Sequence, residues 1–97
     1  MITLEQLRTE YKPQILELAK KHGVENIRVF GSIARGDADE KSDIDFLCHL
    51  PKGSTIWEMA GMLYDLEEML HTKIDLVSDT NLRPRVANTI LNEAIPL

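Results

Sequence analysis

Two carboxylates on either side of one isoleucine, at the head of an apolar run, constrain this chain more than any other feature. Asp43-Ile44-Asp45 opens the stretch 44–50, which reads as a strand. Successive strand side chains point to opposite faces, so Asp43, Asp45 and Leu47 share one side while Ile44, Phe46 and Cys48 share the other. Such a strand must pack its second face into a core and leave acidic groups open on the first. Ten residues upstream stands Gly31-Ser32, directly after the strand-like stretch 27–30. Glycine lets a backbone approach a phosphate closely, and the serine hydroxyl adds a donor. A turn of that kind beside two carboxylates able to share a metal ion suits a phosphorylated ligand.

The rest of the chain supplies layers for these strands. Thr3 and Gln6 have capping-box spacing ahead of Leu4, Leu7 and Tyr11. Pro13 fits the first position of a second helix running to residue 21, with Ile15, Leu16, Leu18 and Ala19 as its apolar stripe and Gly23 as its stop. Residues 32–35 can start a short helix with amides toward an anion. The segment 36–42 is a polar loop. Pro51-Lys52-Gly53 ends the second strand, and Ser54 or Thr55 caps a helix over 56–70 whose Ile56, Met59, Leu63, Leu66 and Leu70 are expected to face the core. Residues 73–77 form a third strand. Pro84 opens a last helix through 92, with Val86, Ile90 and Leu91 directed inward. Strand, turn, strand, helix, strand predicts an α/β (α+β) fold, a small mixed sheet with helices mainly over one face, in one domain spanning 1–97.

Charge narrows the partners. The chain carries 16 acidic against 11 basic residues, a formal net charge of −5, and no stripe of Lys/Arg interleaved with aromatics. Long nucleic acid is therefore disfavoured. One cysteine permits no disulfide within the chain and fits a cytoplasmic setting, with Cys48 as a small buried hydrophobe. No apolar stretch approaches membrane-span length.

The stretch VFGSIARGDADEKSDIDFLC resembles the nucleotidyltransferase superfamily that includes DNA polymerase beta, and within it the minimal (MNT-type) members. The resemblance runs loosely from residue 16 to 97; only 31–45 together with Asp75 is specific. It implies a polymerase-beta-like nucleotidyltransferase fold and supplies the roles. Gly31 and Ser32 would lie at the beta and gamma phosphates of ATP. Asp43 and Asp45 would hold two Mg²⁺ ions. Asp75, in Lys73-Ile74-Asp75-Leu76-Val77, would be the third carboxylate, binding the acceptor-side ion and helping to remove the acceptor proton. Strand parity agrees, because Asp75 and Val77 point away from Ile74 and Leu76. Mg²⁺ would neutralise the phosphates in an otherwise acidic site.

Around this motif, Arg35 either braces the loop by pairing with Asp37, Asp39 or a motif carboxylate, or reaches a phosphate; bracing is favoured. Ser42 can bond the loop backbone, with nucleotide contact as its alternative. Asp37, Asp39 and Glu40 read as a solvated acidic loop. His22, His49 and His71 lack zinc-like spacing, and His22 and His71 fall near helix ends. Trp57, Tyr11 and Tyr64 are expected to pack. MNT-type relatives resemble the antitoxin of HEPN/MNT toxin–antitoxin pairs, which implies AMP transfer from ATP to a tyrosine of a HEPN-type toxin. The alternatives are a nucleotide-binding antitoxin that neutralises by binding alone, and a small-molecule nucleotidyltransferase completed by a homo-oligomer or partner.

Overall fold

The computed structural model describes all residues, Met1–Leu97. Thr3 caps α1 (Leu4–Arg8) through the expected box with Gln6, and Leu7 is its buried anchor. α2 (Lys12–His22) begins with Pro13 in its first turn and ends at Gly23, whose φ of 69° is the left-handed conformation glycine adopts freely. β1 (Glu25–Phe30) runs into α3 (Gly31–Arg35), and the polar loop leads to β2 (Ile44–His49). Thr55, with Glu58, caps α4 (Ile56–Leu70); β3 (Ile74–Ser78) and α5 (Pro84–Glu93) follow. A two-residue strand, β4 (Ile95–Pro96), closes the chain. Sequence pattern gave no sign of β4, because two residues carry no periodicity.

The four strands form one mixed sheet in the order β3-β2-β1-β4. β1 is antiparallel to β2 and to β4, whereas β2 and β3 are parallel, joined by the α4 crossover. The β1–β2 register shifts between Glu25 and Arg28, where Asn26 has a positive φ of 51°. That is the signature of a bulge, and asparagine tolerates the left-handed region better than most residues.

One face of the sheet carries Ile27, Val29, Ile44, Phe46, Cys48 and Ile74. It packs on Ile15 and Ala19 of α2 and Met62, Leu66 and Leu70 of α4. The predicted parity of β2 therefore holds, and Cys48 is buried as expected. Burial pushes its thiol pKa up to about 11, with Asp79 adding to the rise, so it stays protonated and inert. No helix is long and apolar enough to cross a membrane.

Several packing expectations fail, each for a positional reason. Met62, absent from the expected stripe, is the buried centre of α4, whereas Ile56 in the first turn is exposed. Trp57 and Tyr64 do not pack but face outward from α4; Tyr11 does pack against the core. α5 contributes nothing fully buried: Ile90 is half-covered, and Val86 and Leu91 are exposed, because α5 sits against α3 and not in the layer formed by α2 and α4.

Candidate functional site

Strand pairing builds the site. Phe30 lies opposite Asp45 across the antiparallel pair, and Asp45 lies opposite Asp75 across the parallel pair. Side chains in register point to the same side, so these three form a row over adjacent strands, roughly 5 Å apart. Asp43, two residues before Asp45, shares their side, the one turned away from α2 and α4. Its carboxylate lies 3.9 Å from the ammonium of Lys73.

The electrostatics carry the mark of that crowding. Burial raises the Asp45 pKa from 3.8 to about 6, with the charges of Asp75 and Asp43 adding to it and Arg35 opposing. A carboxylate surrounded in this way is costly to ionise until a cation neutralises it. The donor set is all oxygen, which suits a hard ion such as Mg²⁺. No three acidic, histidine or cysteine side chains come together closely enough to hold a metal ion by themselves. Mg²⁺ commonly keeps several waters and takes one or two carboxylates plus substrate phosphates, so such a site would be completed by the bound nucleotide.

Gly31 is buried with φ of 76°, and a Cβ placed there would overlap Oδ2 of Asp45 and reach 3.0 Å from its Cγ. Two constraints thus fall on one residue, a left-handed backbone and the volume Asp45 occupies. Ser32 follows it in α3, half-buried. Arg35, at the end of that helix, is tied down twice, by Nε donating to Asp37 at 3.2 Å and by Nη1 donating to Glu93 at 2.9 Å. Bracing is what the geometry shows, with Asp37 the expected partner. Glu93 was not foreseen. It comes from α5, 58 residues away, and no local signal announces it. Ser42 donates to Asp39 Oδ1 at 3.1 Å and accepts from the Asp39 amide at 2.9 Å, contacts that close the loop.

Four residues along the same strand faces, a second polar group appears that sequence reasoning also missed. Asp79 accepts from Arg28 Nη2 at 2.7 Å and bonds His49 Nδ1 at 2.9 Å. Burial alone would raise the Asp79 pKa, but hydrogen bonds from His49 and Arg28 outweigh it and hold the carboxyl below its usual range. At the far end of α2, His22 Nε2 lies 2.7 Å from Asp65 and Lys21 donates to the same carboxylate. These contacts fix α2 to α4 and leave the carboxylate row alone.

A carboxylate row beside a glycine-serine turn, on a small mixed sheet, is the kind of arrangement that nucleotidyl transfer calls for. The family model described as "Nucleotidyltransferase domain" matches residues 12–97, and the chain belongs to this nucleotidyltransferase family. It is similar to the protein adenylyltransferase MntA of Thermococcus cleftensis, at 34% identity over 95 residues, covering 98% of this chain and 96% of that one. A solved structure described as a proposed minimal nucleotidyltransferase superposes with a TM-score of 0.85 at 42% identity, covering 99% and 97% of the two chains. At 16% identity the likeness shows fold alone, but a tri-AMPylated Shewanella oneidensis HEPN toxin in complex with MNT antitoxin also matches, with a TM-score of 0.68 over 90% of this chain and 68% of that one.

Proposed function

We propose that this nucleotidyltransferase moves AMP from ATP, with Mg²⁺, to a tyrosine hydroxyl of a HEPN-type partner and so neutralises it. The observation that carries the reading is the register Asp45↔Asp75 beside Gly31. It supports one carboxylate placed between the triphosphate turn and the acceptor side, with a second reaching across the next strand. The relative named protein adenylyltransferase supports the donor and the class of acceptor, and the AMPylated HEPN toxin in complex with an MNT protein supports the partner.

Bound Mg²⁺ would neutralise the triphosphate and polarise the transferred phosphoryl group. The chain's own residues do the rest. Gly31 leaves the backbone free to approach the beta and gamma phosphates, and Ser32 donates its hydroxyl to them. Asp43 and Asp45 hold cations on one strand face. Asp75 orients the acceptor and takes part in removing its proton. The acceptor oxygen bonds to the alpha phosphorus as the bond to the beta-phosphate oxygen breaks, and pyrophosphate leaves. Arg35 and Ser42 keep the loop between the turn and the carboxylates in shape.

The test is intact-mass spectrometry of a purified HEPN-type partner after incubation with this protein, ATP and Mg²⁺, beside a toxicity rescue assay. Wild type should add the mass of AMP to a tyrosine. Asp75→Asn should stop the addition yet keep appreciable ATP affinity, because Asp75 serves the acceptor more than the triphosphate. Full rescue by Asp75→Asn with no mass change would instead establish neutralisation by binding and overturn the enzymatic reading.

A further inference from the structure

We infer that a second copy of this chain docks on the outer face of α4, giving an antiparallel helix pair with the two carboxylate sites facing outward. Three large side chains stand exposed on this one helix: Ile56 at 74%, Trp57 at 78% and Tyr64 at 62%. Nothing in the fold requires them there. Tryptophan and tyrosine are the residues most enriched at the energetic centres of protein interfaces, and they are depleted on bare surfaces.

The pattern is complementary to itself. Trp57 and Tyr64 lie two helical turns apart on one line, and Ala60 and Gly61 fall midway between them. A two-fold axis through that midpoint places Trp57 of each copy against Tyr64 of the other. Small residues at the crossing let the helix axes approach, and two aromatic pairs flank it. Gly61 already allows close packing inside the monomer, since a Cβ there would come within 2.8 Å of the His22 ring. The glycine thus keeps α2 close to α4, and Ala60 is the exposed small residue at the crossing.

Charge runs the same way. The C-terminal half of α4 carries Glu67 and Glu68, with no basic residue in its last turn. Beside Trp57, at the other end, an open recess of about 540 Å³ is lined by Lys20, Lys21, His22 and Glu58; Lys21 and His22 are paired with Asp65, which leaves Lys20, and Lys52 just upstream of the helix, as the basic groups without a carboxylate partner. An antiparallel pair brings each acidic end to the other copy's basic end and to the positive end of its helix dipole. The exposed parts of Ile56, Trp57 and Tyr64 amount to several hundred Å² per copy, a large share of the roughly 800 Å² per partner that a specific interface buries.

Geometry also argues against this face as the acceptor's docking surface. α4 packs on the side of the sheet opposite Asp43, Asp45 and Asp75. A partner seated on Trp57 would have the whole sheet between it and the carboxylates. A second copy meets no such difficulty, because back-to-back packing leaves both sites open.

The experiment is light scattering coupled to size exclusion, over a range of loading concentrations, on the full chain and on Trp57→Lys and Tyr64→Lys. Both positions are exposed, so the variants should keep the wild-type circular dichroism. Wild type should run at twice the 11.0 kDa of one chain. Each dimer loses two copies of an interface aromatic, so either variant should raise the dissociation constant about a hundredfold or more and run as monomer. A wild type that is monomeric at every loading overturns the inference, as does a dimer that both variants leave unchanged. So does a monomeric wild type whose capture of a purified HEPN-type partner is lost in Trp57→Lys, which would give the patch to a different protein.

Discussion

Replacing Asp45 by asparagine should stabilise the metal-free protein while removing its capacity to work. The side chain keeps its shape, so the packing against Gly31 is preserved, but the charge that burial, Asp75 and Asp43 all oppose is gone. Each tenfold change in an ionisation equilibrium corresponds to about 1.4 kcal/mol, so the rise from 3.8 to about 6 caps the cost of the ionised form near 3 kcal/mol. Solvent reaches this half-buried carboxylate, and screening reduces the cost to about 1–1.5 kcal/mol. For a domain of this size each kcal/mol moves Tm by about 4–8 °C. Thermal melts in chelator at pH 7.5 should therefore show Asp45→Asn more stable by about 4–12 °C.

The sign with pH follows from the direction of the shift. A carboxyl whose folded pKa is raised costs stability when ionised, so the penalty is full above about pH 6 and fades as pH falls from there toward 3.8. The advantage of Asp45→Asn should accordingly shrink when the melts are repeated near pH 4.5. Added Mg²⁺ and a non-hydrolysable ATP analogue should raise the Tm of wild type much more than that of the variant. A variant less stable than wild type at pH 7.5, or an advantage that persists undiminished at the lower pH, would refute the reasoning.

Two further outcomes test the neighbours of this carboxylate. Ser32→Ala should weaken binding of the ATP analogue by about tenfold to a hundredfold in calorimetry, the worth of one hydroxyl contact to a charged group, with little change in Tm; a large drop in Tm at unchanged affinity would make Ser32 structural. Asp79→Asn should cost about 1–3 kcal/mol in melts, because the amide offers one acceptor oxygen where the carboxylate gives one each to Arg28 and His49, and it removes the charge that both face. Since the folded pKa of Asp79 is depressed, that contribution is present above the unfolded value near 3.8 and disappears as pH falls below it, so the wild-type and variant curves should converge in acid.

The parts of the structure that can be read in the sequence are those fixed by short-range rules. The capping boxes at Thr3 and Thr55, the stop at Gly23 and the alternation of β2 each follow from residues within a few positions of one another. Parity in the third strand placed Asp75 on the correct side, because a two-residue period survives any sheet topology. What the pattern could not give was position relative to other elements. The expected inward stripe of α4 was displaced toward Met62 because the angle at which a helix meets a sheet is set by the partners, and α2 approaches at Gly61. α5 reads as amphipathic yet lies against α3, leaving Val86 and Leu91 exposed. Glu93, Asp79 and Arg28 entered through contacts spanning 51 to 58 residues, which no local window reports.

Gly31 and Asp45 show why the motif behaves as one unit. In the sequence they look like two separate devices, a turn for phosphate and a strand carboxylate for metal. In the fold the carboxylate fills the space that any side chain at Gly31 would claim, and the same proximity contributes to the burial that raises its pKa. A larger residue at position 31 would push Asp45 off the row it shares with Asp75, and would stand in the way of the proposed phosphate approach. The spacing between the turn and the carboxylates therefore encodes a packing contact on which both proposed ligand contacts depend. The loop between them, braced by Arg35–Asp37, Arg35–Glu93 and Ser42–Asp39, keeps that contact in place.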